Sequence, residues 1–240
     1  MINFKFEGFN RKYKKYSQLL QKPQYRSFIF NKISKYCIKF PKITTNEDIN
    51  IFKQLATIEL QHSKIIGSIL NPKEKHGYGD KFLQLFFEIV LNDSDFIYDQ
   101  NDKWIITVEK NRYDVRIRNQ INSKIIIIEN KSNGAGDGDN QLYRYWYDGI
   151  YQLQYKFVSL KPYAKILYLS PGDWKKPDKQ TSLRPENYPE NLRDSIPEGL
   201  VKIVYYPDEI VSWLLSCMNV IDKSSDMYYY LKKYVDYWRT

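Results

Sequence analysis

The apolar positions of this chain follow two rhythms. Four consecutive isoleucines, Ile125 to Ile128, form its densest apolar run, with polar turns on either side. An unbroken β-branched run of this length predicts a strand buried on both faces. Just upstream, Val115 and Ile117 alternate with Asp114, Arg116 and Arg118, the period of a half-exposed strand. A turn at residues 120–123 folds this strand back antiparallel to the isoleucine strand. Residues 104–109 and 96–98 read as further strands joined by the turn at 99–102, so the region is a meander. Helical spacing frames it. Ile51, Leu55, Ile58, Ile65 and Ile69 predict an amphipathic helix over residues 47–70, capped by Thr45 or Asn46. Phe82, Leu83, Phe86, Phe87 and Val90 make the apolar face of a second helix over 79–91.

Downstream, the pattern predicts a helix from Asn140 to about Phe157 and a strand at 165–170, parallel to the isoleucine strand after the crossover. A strand at 201–206 and helices at 208–220 and 226–238 follow. Met227, Tyr230, Leu231, Tyr234 and Trp238 form a stripe on the last helix, read as core or as the contact of a homodimer. Residues 171–200 hold five of the ten prolines and read as a long loop, a flap facing substrate.

Composition narrows the class. At 240 residues with 42% hydrophobic and 16% aromatic side chains, the chain is a folded protein with a substantial core. Its two cysteines, Cys37 and Cys217, supply neither a disulfide framework nor metal-ligand spacing. No apolar run approaches the ~18 residues of a membrane span, and the N-terminus lacks the apolar core of a signal peptide. A cytoplasmic protein is expected, in which the sequon Asn130-Lys131-Ser132 has no meaning. The net charge of +9 is uneven: residues 1–45 hold eleven Lys and Arg against one acid, Glu7. There Lys12, Lys14 and Lys15 interleave with tyrosines, which suits an arm that places lysines on phosphates and rings on bases. A solvated basic helix face reads equally well. The expected division is a basic, aromatic-rich helical arm over 1–45 and one domain over 46–240.

The chemistry gathers at the end of the isoleucine strand, in Glu129-Asn130-Lys131. Ionised groups there need partners or a metal, because leaving water is costly. The hairpin brings Asp114 beside Glu129, and two adjacent carboxylates repel unless a divalent cation lies between them. Lys131, two residues on, leaves the strand on the face of Glu129.

Asp114, fourteen intervening residues and Glu129-Asn130-Lys131 resemble the Asp…Glu-x-Lys motif of the PD-(D/E)XK nuclease superfamily. Gln141-Leu142-Tyr143-Arg144-Tyr145 is similar to the Gln-hydrophobic-x-x-Tyr motif of its recombination-exonuclease-like branch. Tyr113 stands where the superfamily name has proline. A further stretch resembles the start of one uncharacterised subgroup: Glu59-Leu60-Gln61-His62-Ser63, Leu70-Asn71-Pro72, His76-Gly77-Tyr78-Gly79 and Phe82-Leu83. The likeness covers about residues 55–215. It implies an α/β fold with a restriction-endonuclease-like core, a mixed central β-sheet flanked by helices in the order αβββαβ, with extra N- and C-terminal helices. It implies metal-dependent phosphodiester hydrolysis, with DNA favoured over RNA but the choice between them left open by the sequence, and with Mg²⁺ as cofactor and Mn²⁺ as substitute. Asp114, Glu129, the Asn130 backbone carbonyl and Glu59 would hold the metal. Lys131 would position the water or stabilise the transition state. Gln141 and Tyr145 would line the groove and touch the nucleic-acid backbone, with Arg144, Tyr147 and Lys156 extending that surface. His62 reads as structural or substrate-positioning, and His76 as the residue that orders the Gly77–Gly79 loop.

Residues 134–139, Gly-Ala-Gly-Asp-Gly-Asp, lack the Gly-Lys-Ser/Thr of a phosphate loop, and Leu142 stands where a calcium loop needs glycine. They read as a flexible connection with Asp139 near the helix cap. Two rivals to the enzyme remain: a nucleic-acid-binding module on the same fold, and a structural subunit of a defence or repair complex.

Overall fold

The structure, a computed structural model, describes residues 50–56, 58–155, 162–178, 182 and 197–239. The isoleucine run becomes the middle strand of a five-stranded sheet of order β1-β2-β3-β4-β5. Strands β1 (Trp104–Lys110), β2 (Tyr113–Asn119) and β3 (Lys124–Asn130) form an antiparallel meander. Strands β4 (Tyr163–Ser170) and β5 (Val201–Tyr205) add in parallel to the other side of β3. The sheet is therefore mixed, as expected, with β3 at its centre.

Both faces of β3 are covered. Ile126 and Ile128 enter a core with Ile66, Ile69, Leu83, Phe86 and Trp213. These come from helices α2 (Glu59–Leu70), α3 (Lys81–Phe86) and α6 (Val211–Asn219). Ile125 and Ile127 enter a second core with Leu142, Tyr143, Tyr145 and Trp146 of α4 (Gln141–Trp146). All four isoleucines are fully buried, and each contributes roughly 1.5–3 kcal/mol of burial. Helix α4 runs through a π-helical stretch, Tyr147–Tyr151, into α5 (Gln152–Tyr155). It lies close on β3 at Gly149, where a Cβ would stand 2.5 Å from Ile127 Cδ1 and 3.0 Å from the Tyr113 hydroxyl.

The helix expected over 47–70 is two helices. Helix α1 (Ile51–Leu55) is capped by Asn50, whose side chain accepts from the Phe52 N–H at 3.0 Å. Ala56 then leaves helical geometry and Ile58 is extended. The break has a packing reason. Phe52 turns onto Tyr234 and Tyr230 of the C-terminal helix α7 (Asp226–Trp238), at 4.9 and 5.2 Å between ring centres, while α2 lies on the sheet. Ile51 and Ile58, read as core, are about half exposed. Residues 96–98 pair with no strand among the described residues. Phe96 instead packs its ring on Phe87 and Tyr163, at 4.5 and 5.2 Å. The 208–220 helix starts with a π-helical stretch, Tyr206–Ile210, before α6. Helix α7 matches its expected span, and its stripe joins the chain's own core: Leu231 and Tyr234 are fully buried. His76 does order its loop, accepting from the Tyr78 N–H at 3.1 Å and contacting the Asn71 carbonyl at 3.0 Å. Among the described residues no helix is long and apolar enough to cross a membrane.

Candidate active site

The hairpin register sets Val115 opposite Ile128, so one step further Asp114 comes beside Glu129. Asp114 Oδ2 accepts from the Asn130 N–H at 2.7 Å. The Glu129 carboxylate faces α4 and is almost wholly buried. Its Oε1 accepts from Gln141 Nε2 at 2.7 Å and from Lys131 Nζ at 2.8 Å. Its Oε2 accepts from the Tyr145 hydroxyl at 2.5 Å. Lys131 Nζ also donates to the Gly136 carbonyl at 3.1 Å and to Gln141 Oε1 at 3.4 Å. The three motif residues expected to meet do meet, at the carboxyl end of β3.

Their charges are tuned by burial. Desolvation pushes the Asp114 carboxyl up to about 8, and the negative charge of Glu129 adds to it, while the Asn130 N–H pulls the other way. Burial also raises Glu129, opposed by the ammonium of Lys131. For Lys131, burial works against the charge, but Glu129, Glu59 and Asp137 outweigh it and hold the ammonium above its ordinary value. Burial, with Glu129 and Asp114, raises the Tyr145 phenol, so it serves as a neutral donor.

Several expected partners are placed differently. Gln141 and Tyr145 share one face of α4, but that face turns to Glu129 and not to an open groove. Tyr145 is fully buried, and its hydroxyl also lies 3.0 Å from the Arg112 carbonyl. Arg144 is half-buried with its guanidinium 5.6 Å from the Tyr145 ring centre. Glu59 opens α2 at the site's edge, where its Oε1 accepts from the Ala135 N–H at 3.3 Å. Among the described residues no three His, Cys, Asp or Glu side chains converge as a ready cation cage. Lys12, Lys14, Lys15 and Lys156 lie outside the described residues.

The glycine-rich loop is not a loose connection. It folds over the site, with Gly136 on Lys131, Ala135 on Glu59, and the Gly138 N–H on Gln141 Oε1 at 3.0 Å. Asp137 anchors it. Its carboxylate accepts from the Tyr168 hydroxyl at 2.7 Å and the Asp178 N–H at 2.6 Å, and lies 3.4 Å from Lys175 Nζ and 4.0 Å from Lys131 Nζ. The residue at the helix cap is Asn140, in left-handed backbone geometry, and Asp139 is exposed. Sequence reading missed Asp137 because its partners come from β4 and the segment after it. It also missed the Asn130 side chain, which binds the Glu59 carbonyl, the Ser63 hydroxyl and the Tyr206 hydroxyl at 2.8, 3.0 and 2.8 Å.

His62 stands behind the site, fully buried, with Nδ1 2.8 Å from the Tyr234 hydroxyl. That is a structural place, with no surface open to substrate. Burial lowers its pKa to about 4, the Ala56 carbonyl opposing. An unfolded histidine titrates near 6.5, so between about pH 6.5 and 4 the unfolded chain binds a proton that the folded chain does not. Stability is then full above pH 6.5 and falls as the pH drops toward 4, by about 3 kcal/mol from this residue. Urea midpoints from pH 7 to 4.5 check this, and His62→Gln should flatten the profile; an unchanged slope would count against the assignment.

A mixed sheet flanked by helices, with a carboxylate pair and an ammonium at the end of its central strand, is a restriction-endonuclease-like α/β architecture. The chain belongs to the PD-(D/E)XK nuclease superfamily, whose sequence model matches residues 49–236. No curated protein and no solved structure matches it significantly.

Proposed function

We propose that this nuclease-family chain is a divalent-cation-dependent deoxyribonuclease whose reacting groups are Asp114, Glu129 and Lys131. The observation that carries the reading is the joint placement of these three side chains at one strand end. The donor set fits the metal: carboxylate oxygens of Asp114 and Glu129 and the Asn130 carbonyl are hard ligands, suited to Mg²⁺ or Mn²⁺ rather than to a thiol-seeking ion. Glu59, at the edge, is the further acid available to it. When bound, the ion supplies Lewis-acid polarisation of the scissile phosphate and a lowered pKa for an attacking water.

The chain's own residues do the rest. Gln141 and Tyr145 hold the Glu129 carboxylate in one orientation, so their part is positioning. Lys131, already desolvated and charged, donates to the water or to a phosphate oxygen as negative charge develops. Glu129 and Lys131 are only 1% and 5% exposed, so substrate entry requires residues 135–139 of the loop to swing aside, while Gly134 stays bonded to the Lys131 carbonyl. Their release frees the Lys131 hydrogen bond to Gly136 for the substrate.

The test is cleavage of supercoiled DNA, linear DNA and single-stranded RNA by the full chain with Mg²⁺, with Mn²⁺ and with EDTA, comparing wild type with Glu129→Ala. Metal-dependent DNA cutting, at least a hundredfold weaker in the variant, is the expected result. Cutting confined to RNA would overturn the substrate. Binding without cutting under either metal would replace the enzyme by a binding module.

A further inference from the structure

Trp174 occupies the turn that follows β4, at the same end of the sheet as Lys131. It is 69% exposed, whereas Trp104, Trp146 and Trp213 are nearly or wholly buried. An exposed indole is ordinarily a mobile surface side chain, but this one is seated. A Cβ at Gly134 would stand 2.3 Å from the indole Cη2, and a Cβ at Gly172 would stand 3.0 Å from its Nε1. The two ends of the ring thus rest against the bare backbone of two separate segments. Gly134 has φ +70, which also disfavours any side chain there.

The turn beneath the ring is fixed. The buried Ser170 hydroxyl lies 2.5 Å from the Gly172 carbonyl and 2.8 Å from the Lys175 carbonyl, and the Lys175 N–H donates to Gly172 at 3.2 Å. Lys175 turns inward to Asp137, while Lys176, two residues beyond Trp174 in the chain, is exposed. The platform leans on the turn that directly follows Lys131, whose carbonyl accepts from the Gly134 N–H at 2.8 Å.

We propose that Trp174 is a stacking platform for an unpaired base of the bound nucleic-acid strand, next to the site of cleavage. A rigid, exposed aromatic face at low ordering cost is the chemistry used to bind single strands without sequence preference. Bases within a duplex keep their faces stacked and offer none to an indole. The substrate class that follows is a strand with unstacked bases: single-stranded, overhanging or frayed. This rests on the reading of the Asp114–Glu129–Lys131 site as a nuclease only for the platform's place beside a cut.

The test is binding by the full chain in EDTA, where no cutting occurs. Three fluorescent probes are compared: a fifteen-nucleotide oligothymidylate, the same strand with abasic positions throughout, and a blunt duplex. Trp174→Ala should weaken oligothymidylate binding about tenfold, with Trp174→Phe retaining most of the affinity. Binding of the abasic strand and of the duplex should be the same in wild type and Trp174→Ala. Equal oligothymidylate affinity in wild type and Trp174→Ala would overturn the platform. So would equal losses on normal and abasic strands, or no strand binding by wild type, which would leave Trp174 as a contact for a protein partner. If wild type cuts nothing with Mg²⁺ yet shows the base-dependent loss, the nuclease reading fails and the platform stands.

Discussion

Replacing Lys131 with alanine is expected to lower the single-turnover rate of phosphodiester cleavage by about a thousandfold while a folded chain persists. Lys131 is the cation that touches Glu129, at 2.8 Å, and it is buried beneath the glycine-rich loop. In a buried site, an ammonium aimed at developing negative charge acts far more strongly than in bulk solvent. The same burial gives the substitution a stability cost. Glu129 keeps Gln141 and Tyr145 as donors but loses its counter-charge, which costs up to about 3 kcal/mol. Two further variants separate these effects. Lys131→Arg retains the charge, but a planar guanidinium does not fit the three-way position between Glu129, Gly136 and Gln141. It should recover stability more than rate. Glu129→Gln added to Lys131→Ala removes the stranded carboxylate and should recover stability without rate. Urea midpoints and rates measured on the same preparations check both statements. Cutting by Lys131→Ala within tenfold of wild type would sink the role given to this residue.

What the sequence disclosed, and what it hid, follows from the range of the interactions. Ile125–Ile128 announced a strand covered on both faces because β-branched residues at successive positions leave no face for water. Asp114 and Glu129 could be brought together from the hairpin alone, since a turn and a two-residue period fix which side chains are neighbours. Helix 226–238 was legible to the residue because Ser225 caps it, accepting from the Tyr228 N–H at 3.2 Å. The departure from helix at Ala56 and Ile58 was not legible, because it arises from Phe52 packing on α7, some 180 residues away in sequence. The face that Gln141 and Tyr145 share was readable from their spacing; the direction of that face was not. It is set by how α4 settles on β3, which depends on Ile127, Gly149 and Tyr113 together. The glycine-rich loop looked unstructured because its anchor, Asp137, finds its partners at Tyr168, Lys175 and Asp178. Local sequence carried the candidate site's charged groups, and distant contacts carried the groups that aim and cover them.

Asn130 is where these two levels meet, and its substitution should be the most damaging to the fold of any change near the site. The residue follows Glu129 on β3, yet its side chain points to the opposite face, as strand alternation requires. There it is buried with both ends satisfied. Its Nδ2 donates to the Glu59 carbonyl and the Ser63 hydroxyl, and its Oδ1 accepts from the Tyr206 hydroxyl and the Ser132 N–H. One amide therefore ties the strand that carries Glu129 and Lys131 to the first turn of α2, which carries Glu59. It also reaches Tyr206, which stacks on Trp238 at 3.9 Å. Asn130→Ala leaves the Ser132 N–H without its acceptor and takes from the Tyr206 hydroxyl its bond to the strand, at a cost of about 3–5 kcal/mol, a large share of the ~5–15 kcal/mol that holds a domain together. Asn130→Asp keeps the acceptor but sets a second acceptor against the Glu59 carbonyl and buries a further carboxyl near Asp114 and Glu129, so it should be less stable still at pH 7. Tyr206→Phe removes the hydroxyl that donates to Asn130 and meets Tyr234, keeps the ring stack and should cost about 1–2 kcal/mol. The order of urea midpoints is then wild type, Tyr206→Phe, Asn130→Ala, Asn130→Asp. In the mildest of these, Tyr206→Phe, the Mg²⁺ concentration for half-maximal cleavage should rise several-fold, since the amide that fixes the Asn130 carbonyl and the Glu59 helix is loosened while the carboxylates are untouched. A variant Asn130→Asp as stable as Asn130→Ala would show that the amide does not face the Glu59 carbonyl with its donor, and the tie between strand and helix would have to be redrawn.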